Sequence, residues 1–209
     1  MLDNNLTGSL PPCLFNSKSL SILSLSRNNF FGELPNNIGN ATEILILMLA
    51  ENNFSGKVPH SISNIYRLQL LDLSSNRIFG NLPDFSYNVF LGYIDISSNE
   101  FSGEIPTKFY QDIEILALGE NTFTGNFPRN LTYMSHLKHL DIHDNKISGE
   151  LPEFISQIST LQVLNLGNTT LQGSIRDGIS NLSCLRILDL SSNLCWQHSC
   201  KVWKSSWYD

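Results

Sequence analysis

The chain is poor in charge, and poorest in positive charge. Of its 209 residues, 15% are Asp, Glu, Lys or Arg, with 13 basic side chains against 19 acidic ones. A formal net charge of −6 lacks the basic stripes that nucleic acid selects, and it favours neutral or basic partners. Long apolar runs are also missing. The longest, Ile44 to Ala50, has seven residues, which suits a buried strand and is far too short to span a membrane. Met1 to Gly8 is polar and shows no signal-peptide pattern. There are only four cysteines. Cys195 and Cys200 lie close together and are a candidate disulfide, whereas Cys13 and Cys184 are distant and read as free or buried thiols. Catalytic signatures are absent: no G-x-S-x-G, no P-loop, no H-E-x-x-H and no phosphoryl-transfer set occurs. The expectation is a protein that is not an enzyme and uses no cofactor or metal.

What the chain does have is a period. Gly8, Gly32, Gly56, Gly80, Gly103, Gly125, Gly149 and Gly173 fall 24, 24, 24, 23, 22, 24 and 24 residues apart. A leucine-like residue and then proline follow in seven of these eight units. Such a period means a stacked solenoid rather than a globule around one closed core. With 41% hydrophobic residues, there is enough apolar material to fill the stack.

One unit shows the physics. Leu140 and Ile142 are two residues apart, so they share one side of a strand. His139, Asp141 and His143 then share the other side. Asn145 ends the strand, and its amide is suited to bond backbone groups at the bend. Gly149 permits a backbone that a Cβ would block, and Pro152 fixes φ and stops further pairing. Glu153 to Thr160 returns across the opposite face as a short helix or 3₁₀ turn. The skeleton recurs. Leu23/Leu25, Leu47/Leu49, Leu71/Leu73, Ile94/Ile96, Leu116/Leu118, Leu164/Leu166 and Leu188/Leu190 make the same inward pairs, and Asn4, Asn28, Asn52, Asn76, Asn99, Asn121 and Asn193 continue the Asn column.

The pattern L-x-x-L-x-L-x-x-N-x-L-x-G-x-L/I-P resembles the plant-type extracellular leucine-rich repeat. Leu6-Thr7-Gly8-Ser9-Leu10-Pro11 and Phe101-Ser102-Gly103-Glu104-Ile105-Pro106 carry that family's S/T-G-x-I/L-P mark. The resemblance covers residues 1 to about 194. It implies the α/β class: a right-handed solenoid with a concave parallel β-sheet, short extra strands near the Gly-x-Leu-Pro segments, and short helices or 3₁₀ turns on the convex side. It also implies secretion. Domains of this type occur in receptor-like proteins, receptor kinases and polygalacturonase-inhibiting proteins.

The breaks in the pattern are specific. In the eighth unit Thr169 stands in the Asn column and Arg176 in the Pro column. Thr has no amide, so backbone groups at that bend are expected to turn to water. The two short units lose residues on the return side, between Pro83 and Leu91 and between Pro106 and Ile113, so irregular convex segments are expected there. The first strand of the first unit is missing. Residues 195–209, with Trp196, Trp203 and Trp207, read as an atypical tail or degenerate cap. The expectation is an internal slice of a longer receptor.

The outward strand positions are the expected ligand surface. One column is Ser24, Met48, Asp72, Asp95, Ala117, Asp141, Asn165 and Asp189; the one before it is the apolar stripe Ile22, Ile46, Leu70, Tyr93, Ile115, His139, Val163 and Ile187. Candidate binding residues are Asp72, Tyr93, Asp95, Glu120, His139, Asp141, His143, Asp144 and Asp189. Gly119 and Gly167 flank His143 in the neighbouring strands and are expected to leave its ring exposed and clear. His139, Asp141 and His143 sit at alternate positions, about 6.6 Å apart, and diverge, so they do not make a zinc site. A pH-sensitive recognition spot is the sharper reading of this face.

Six N-x-S/T sequons, at Asn5, Asn40, Asn53, Asn130, Asn168 and Asn181, are candidate glycosylation sites, against about four expected by chance. The functional expectation is extracellular recognition of a protein or peptide by a plant receptor-like protein, with a co-receptor kinase as a further partner. Its setting is the plasma-membrane exterior or apoplast. The alternatives are a secreted inhibitor of a cell-wall hydrolase and a non-functional receptor fragment.

Overall fold

The structure is a computed structural model that describes residues 4–107, 109–175 and 177–193, except the side chain of Asn130. Cys195, Cys200 and the tail lie outside the described residues, as does Arg176.

Two eight-stranded parallel sheets run along the stack, each built from one short strand per repeat. Sheet I contains Ile22–Ser24, Ile46–Met48, Leu70–Asp72, Tyr93–Asp95, Ile115–Ala117, His139–Asp141, Val163–Asn165 and Ile187–Asp189. Sheet II contains the strands around the glycine column, from Thr7–Gly8 to Thr170–Gln172. Every pairing joins neighbouring repeats in register: Leu116 pairs with Leu140, and Leu140 with Leu164. The units stack without slipping because a one-residue shift would turn every inward leucine outward.

The core is a set of ladders. Leu47, Leu71, Ile94, Leu116, Leu140 and Leu164 are fully buried, each worth about 1.5–3 kcal/mol against exposure. A second ladder follows two residues after the Asn column, through Phe54, Ile78, Phe101, Phe123 and Ile147. In it Phe101 and Phe123 stack at 6.2 Å with an interplanar angle of 3°.

The Asn column behaves as its chemistry requires. Asn121 Nδ2 donates to the carbonyls of Ile96, Leu118 and Gly119 at 3.0–3.1 Å, and its Oδ1 accepts from Phe101 N–H at 2.9 Å. One amide thus satisfies four buried backbone groups across two repeats. Thr169 is the exception in the column. It is buried, and its hydroxyl donates to Leu166 O and to Asn193 Oδ1, while Asn193 Nδ2 also reaches Leu166 O at 2.8 Å. The Asn193 bond to Leu166 O repeats the one that Asn52, Asn76 and Asn145 make to the preceding unit, so it is the Thr169 hydroxyl that stands in for the missing amide at Leu166 O.

The glycine column has two causes. All eight glycines have positive φ, from 79° to 116°. At Gly56 the side chain of Glu33, from the preceding repeat, also lies across the Cα, and a Cβ there would sit 2.6 Å from Glu33 Cγ.

On the return side the helical turns are all 3₁₀ among the described residues, as at Glu153–Gln157. Among the described residues none occurs between His60–Asn64 and Arg129–Tyr133, so the two short units are irregular there, as their length implies. Fully buried Asn88 fills part of that gap and donates Nδ2 to Ile65 O at 2.9 Å. Cys13 and Cys184 are free, and both are exposed rather than buried.

Candidate functional site

The outward side of sheet I divides into two chemically distinct areas. The first is apolar. Ile46, Leu70, Tyr93 and Ile115, joined by Gln69, Phe90, Gly92 and Glu114, line a shallow hollow of about 350 Å³. Register explains the row: Ile46 pairs with Leu70, Leu70 with Tyr93 and Tyr93 with Ile115. These residues are half-buried, whereas Ile22 and Ile187 at the two ends of the stripe are 55% exposed. Phe90 comes from the irregular segment of a short unit and is 59% exposed. Its part in this hollow was not visible in the strand pattern, because it belongs to no repeat position.

Two carboxylates stand beside the hollow. Asp72 Oδ1 accepts from Ser74 N–H and Oγ–H at 3.1 and 2.7 Å, and Asp95 Oδ1 accepts from the same atoms of Ser97 at 3.0 and 2.7 Å. Burial pushes the Asp72 carboxyl above the usual carboxylate range, against the opposing pull of Ser74. Tyr93 Oη donates to Asp95 Oδ2 at 3.4 Å, and burial with the charges of Asp95 and Asp72 pushes its hydroxyl up to about 12. Asp189 forms the equivalent turn to Ser191 N–H at 2.8 Å, and that hydrogen bond leads the causes that hold its pKa low.

The second area is polar. His139 is half-buried between Ile115 and Val163 in register. Asp141 Oδ1 accepts from His143 N–H at 3.0 Å and lies 2.6 Å from His143 Nδ1. Burial alone would lower the His143 pKa, but the Asp141 hydrogen bond and the charges of Asp141, Asp144 and Glu120 raise it overall. The ring does not stand clear, as its small neighbours suggested. It lies over Gly119, where an added Cβ would be 2.3 Å from Nδ1. The glycine makes room for the ring to fold down rather than leaving it upright.

Glu120 and Asp144 reach this area through an unusual backbone. Among the described residues, the one before each Asn-column position from 28 to 193 has positive φ: Arg27, Glu51, Ser75, Ser98, Glu120, Asp144, Asn168 and Ser192. Side chains rarely accept that conformation, and the repeat pattern did not disclose it because the position carries no consensus residue. It brings Glu120 Oε1 and Asp144 Oδ2 each to 3.6 Å from His143 Nε2. The structure therefore gathers Glu120, Asp141, His143 and Asp144, while Asp72, Tyr93 and Asp95 form a separate group.

Among the sequons, Asn5, Asn40, Asn168 and Asn181 are exposed and Asn53 is half-buried in a sheet II strand. The turn at Arg129–Tyr133 carries Asn130.

Sequence comparison agrees with the geometry. Two leucine-rich-repeat family models match, one over residues 135–194 and the other over residues 19–41 and 67–88. The chain is a leucine-rich repeat domain of the plant extracellular type. Among solved structures it is similar to the ectodomain of the Arabidopsis receptor kinase HAESA, solved with the peptide hormone IDA and the co-receptor SERK1. That similarity is 32% identity and a TM-score of 0.81 over 93% of this chain and 37% of the other. It is similar also to the ectodomain of the Arabidopsis thaliana receptor kinase GASSHO1/SCHENGEN3, solved with CASPARIAN STRIP INTEGRITY FACTOR 2, at 31% identity and a TM-score of 0.79 over 92% of this chain and 26% of the other. A leucine-rich repeat protein of Leptospira interrogans is 28% identical, with a TM-score of 0.79 over 92% of this chain and 48% of that one. The leucine-rich repeat domain described here thus spans about a quarter to two fifths of the plant ectodomains it matches. No curated protein matches it. No helix among the described residues is long and apolar enough to cross a membrane.

Proposed function

We propose that this domain recognises a peptide or protein ligand across the outward side of sheet I, as part of a plant receptor-like protein facing the cell exterior. The observation that carries the reading is the pairing of the apolar hollow at Ile46, Leu70, Tyr93, Phe90 and Ile115 with the carboxylates of Asp72 and Asp95. An extended peptide laid along the stack meets one such strand about every 4.8 Å, so apolar and basic side chains in alternation fit this surface. The plant ectodomains it resembles were solved with peptide or protein ligands, and one with a co-receptor kinase, which supports the same partner classes here. Asp189, His139 and Asp141 extend the candidate surface along the sheet, and signalling in defence or development is the setting in which such recognition operates.

The test is panning of a displayed library of short peptides against the whole chain. Enriched sequences should combine apolar and basic residues. Leu70→Lys should weaken their binding at least about tenfold, the mark of a central contact. Tyr133→Ser, on an exposed convex turn, should leave it unchanged. Peptides that bind Leu70→Lys as well as they bind the native chain would place recognition elsewhere.

A further inference from the structure

We infer that Glu120, His143 and Asp144 form a binding site for a zinc-class divalent metal ion at the edge of sheet I. The three donor atoms all lie within 4.8 Å of one another. His143 Nε2 is 3.6 Å from Glu120 Oε1 and 3.6 Å from Asp144 Oδ2. A tetrahedral ion with bonds of about 2.0–2.1 Å needs its donors about 3.3 Å apart, so the two nitrogen–oxygen pairs close by a few tenths of an ångström, and the two carboxylate oxygens, within 4.8 Å of each other, close by rotation of their side chains.

The remaining polar atoms of these side chains are already engaged. His143 Nδ1 lies 2.6 Å from Asp141 Oδ1, an arrangement in which Nδ1–H donates and the Nε2 lone pair faces the other two donors. Glu120 Oε2 accepts from Ser98 Oγ–H at 2.9 Å, and Asp144 Oδ1 accepts from Asn168 Nδ2. Each proposed ligand is therefore oriented by a neighbour, and the atom it leaves over is one that converges. Backbone geometry supports the same placement. Glu120 and Asp144 have φ of 52° and 48°, and Glu120 N–H donates to His143 O at 2.9 Å. The ring position is open because Gly119 has no Cβ.

The cluster occurs once in the stack for a simple reason. The position of His143 is held by Ser26, Ala50, Ser74, Ser97, Gly119, Gly167 and Ser191 in the other repeats. The positive-φ column has two acids in adjacent bends only at Glu120 and Asp144. One imidazole nitrogen with two carboxylate oxygens suits zinc or cobalt(II), and not calcium, which prefers an all-oxygen shell. Glu120 and Asp144 are exposed, so further coordination positions remain for water or for a donor from a bound partner. The competing account is an imidazolium ion paired with three carboxylates and no metal.

The experiment is titration of zinc chloride, followed by calorimetry, into the full chain carrying Cys195→Ser and Cys200→Ser, which removes competing tail thiols. The expected result is one zinc per chain. His143→Ala, Glu120→Gln and Asp144→Asn should each weaken binding at least about tenfold, and Asp141→Asn about ten- to a hundredfold through loss of ring orientation. His60→Ala, on a convex turn, should change nothing, and the variants should melt like the parent. Cobalt(II) should give visible absorption bands that vanish in His143→Ala and persist in His60→Ala. Calcium should produce no binding heat. Absence of zinc binding, or zinc and cobalt signals unchanged in His143→Ala, would overturn the assignment in favour of the ion pair.

Discussion

The bends at Asn145 and Thr169 lie one repeat apart and solve the same problem differently. Asn145 Nδ2 donates to Leu118 O, Ile142 O and His143 O, and its Oδ1 accepts from Phe123 N–H. Thr169 has one hydroxyl, which it directs to Leu166 O and Asn193 Oδ1. What it does not make is the bond to Ile142 O, one repeat earlier, whose equivalent Asn121, Asn145 and Asn193 make at their own bends; Asn145 serves Ile142 O here. The difference teaches that a lost amide need not orphan its carbonyls, because the carbonyls of the column are already shared between repeats: Asn145 reaches Leu118 O and Asn121 reaches Ile96 O just as Asn193 reaches Leu166 O. A period broken in sequence is therefore not necessarily broken in hydrogen bonding.

Two substitutions test that comparison, and a third tests the outward face. The largest effect is expected for Asn121→Ala, in the middle of the column. Asn121 is 8% exposed, and its loss takes the acceptor from Phe101 N–H while Ile96 O, Leu118 O and Gly119 O each keep one other donor, so a destabilisation of about 1–3 kcal/mol is expected in urea unfolding. A loss below about 1 kcal/mol would show that Phe101 N–H finds another acceptor and that the column amide is dispensable at this bend as it is at Thr169. The second is Thr169→Asn, which restores the column and should stabilise by about 1 kcal/mol. A neutral or destabilising result would mean that the Thr169 hydroxyl already serves this bend as well as an amide would.

The smallest effect is expected on the outward face. Asp72→Asn keeps an oxygen to accept from Ser74 and removes a charge that burial disfavours. The folded-state pKa of Asp72 is raised, so this group favours folding when protonated, and that contribution is lost as pH rises through the folded pKa. The variant should be more stable than the native chain at neutral pH, by less than about 0.5 kcal/mol, and the gap should close below the carboxylate range. Thermal melts across pH read this directly. A variant less stable at neutral pH would reverse the sign assigned to burial.

The repeat skeleton was readable in the sequence because each of its residues does one local task in every unit. Leu140 and Ile142 alternate, Asn145 bonds the bend and Gly149 takes positive φ, and the structure shows each of these. The irregular short units were readable from length alone. The candidate sites were only partly readable. Asp72, Tyr93 and Asp95 follow from alternation on neighbouring strands. Phe90 does not, because it lies in an irregular segment whose path is set by what remains after Phe85, Asn88 and Leu91 are buried. Nor does the meeting of Glu120 and Asp144 with His143, which depends on a positive-φ bend that no consensus residue marks.

The sequence by itself determined the stack, its two sheets and the faces to which side chains belong, since those depend on periodic local preferences repeated in phase. Only the tertiary structure decided which outward side chains touch. Residues 24 positions apart become neighbours at the spacing of one strand, and their contact then depends on rotamers and on vacancies such as the one at Gly119. That is why His143 lies down toward two acids when its sequence neighbours suggested an isolated ring.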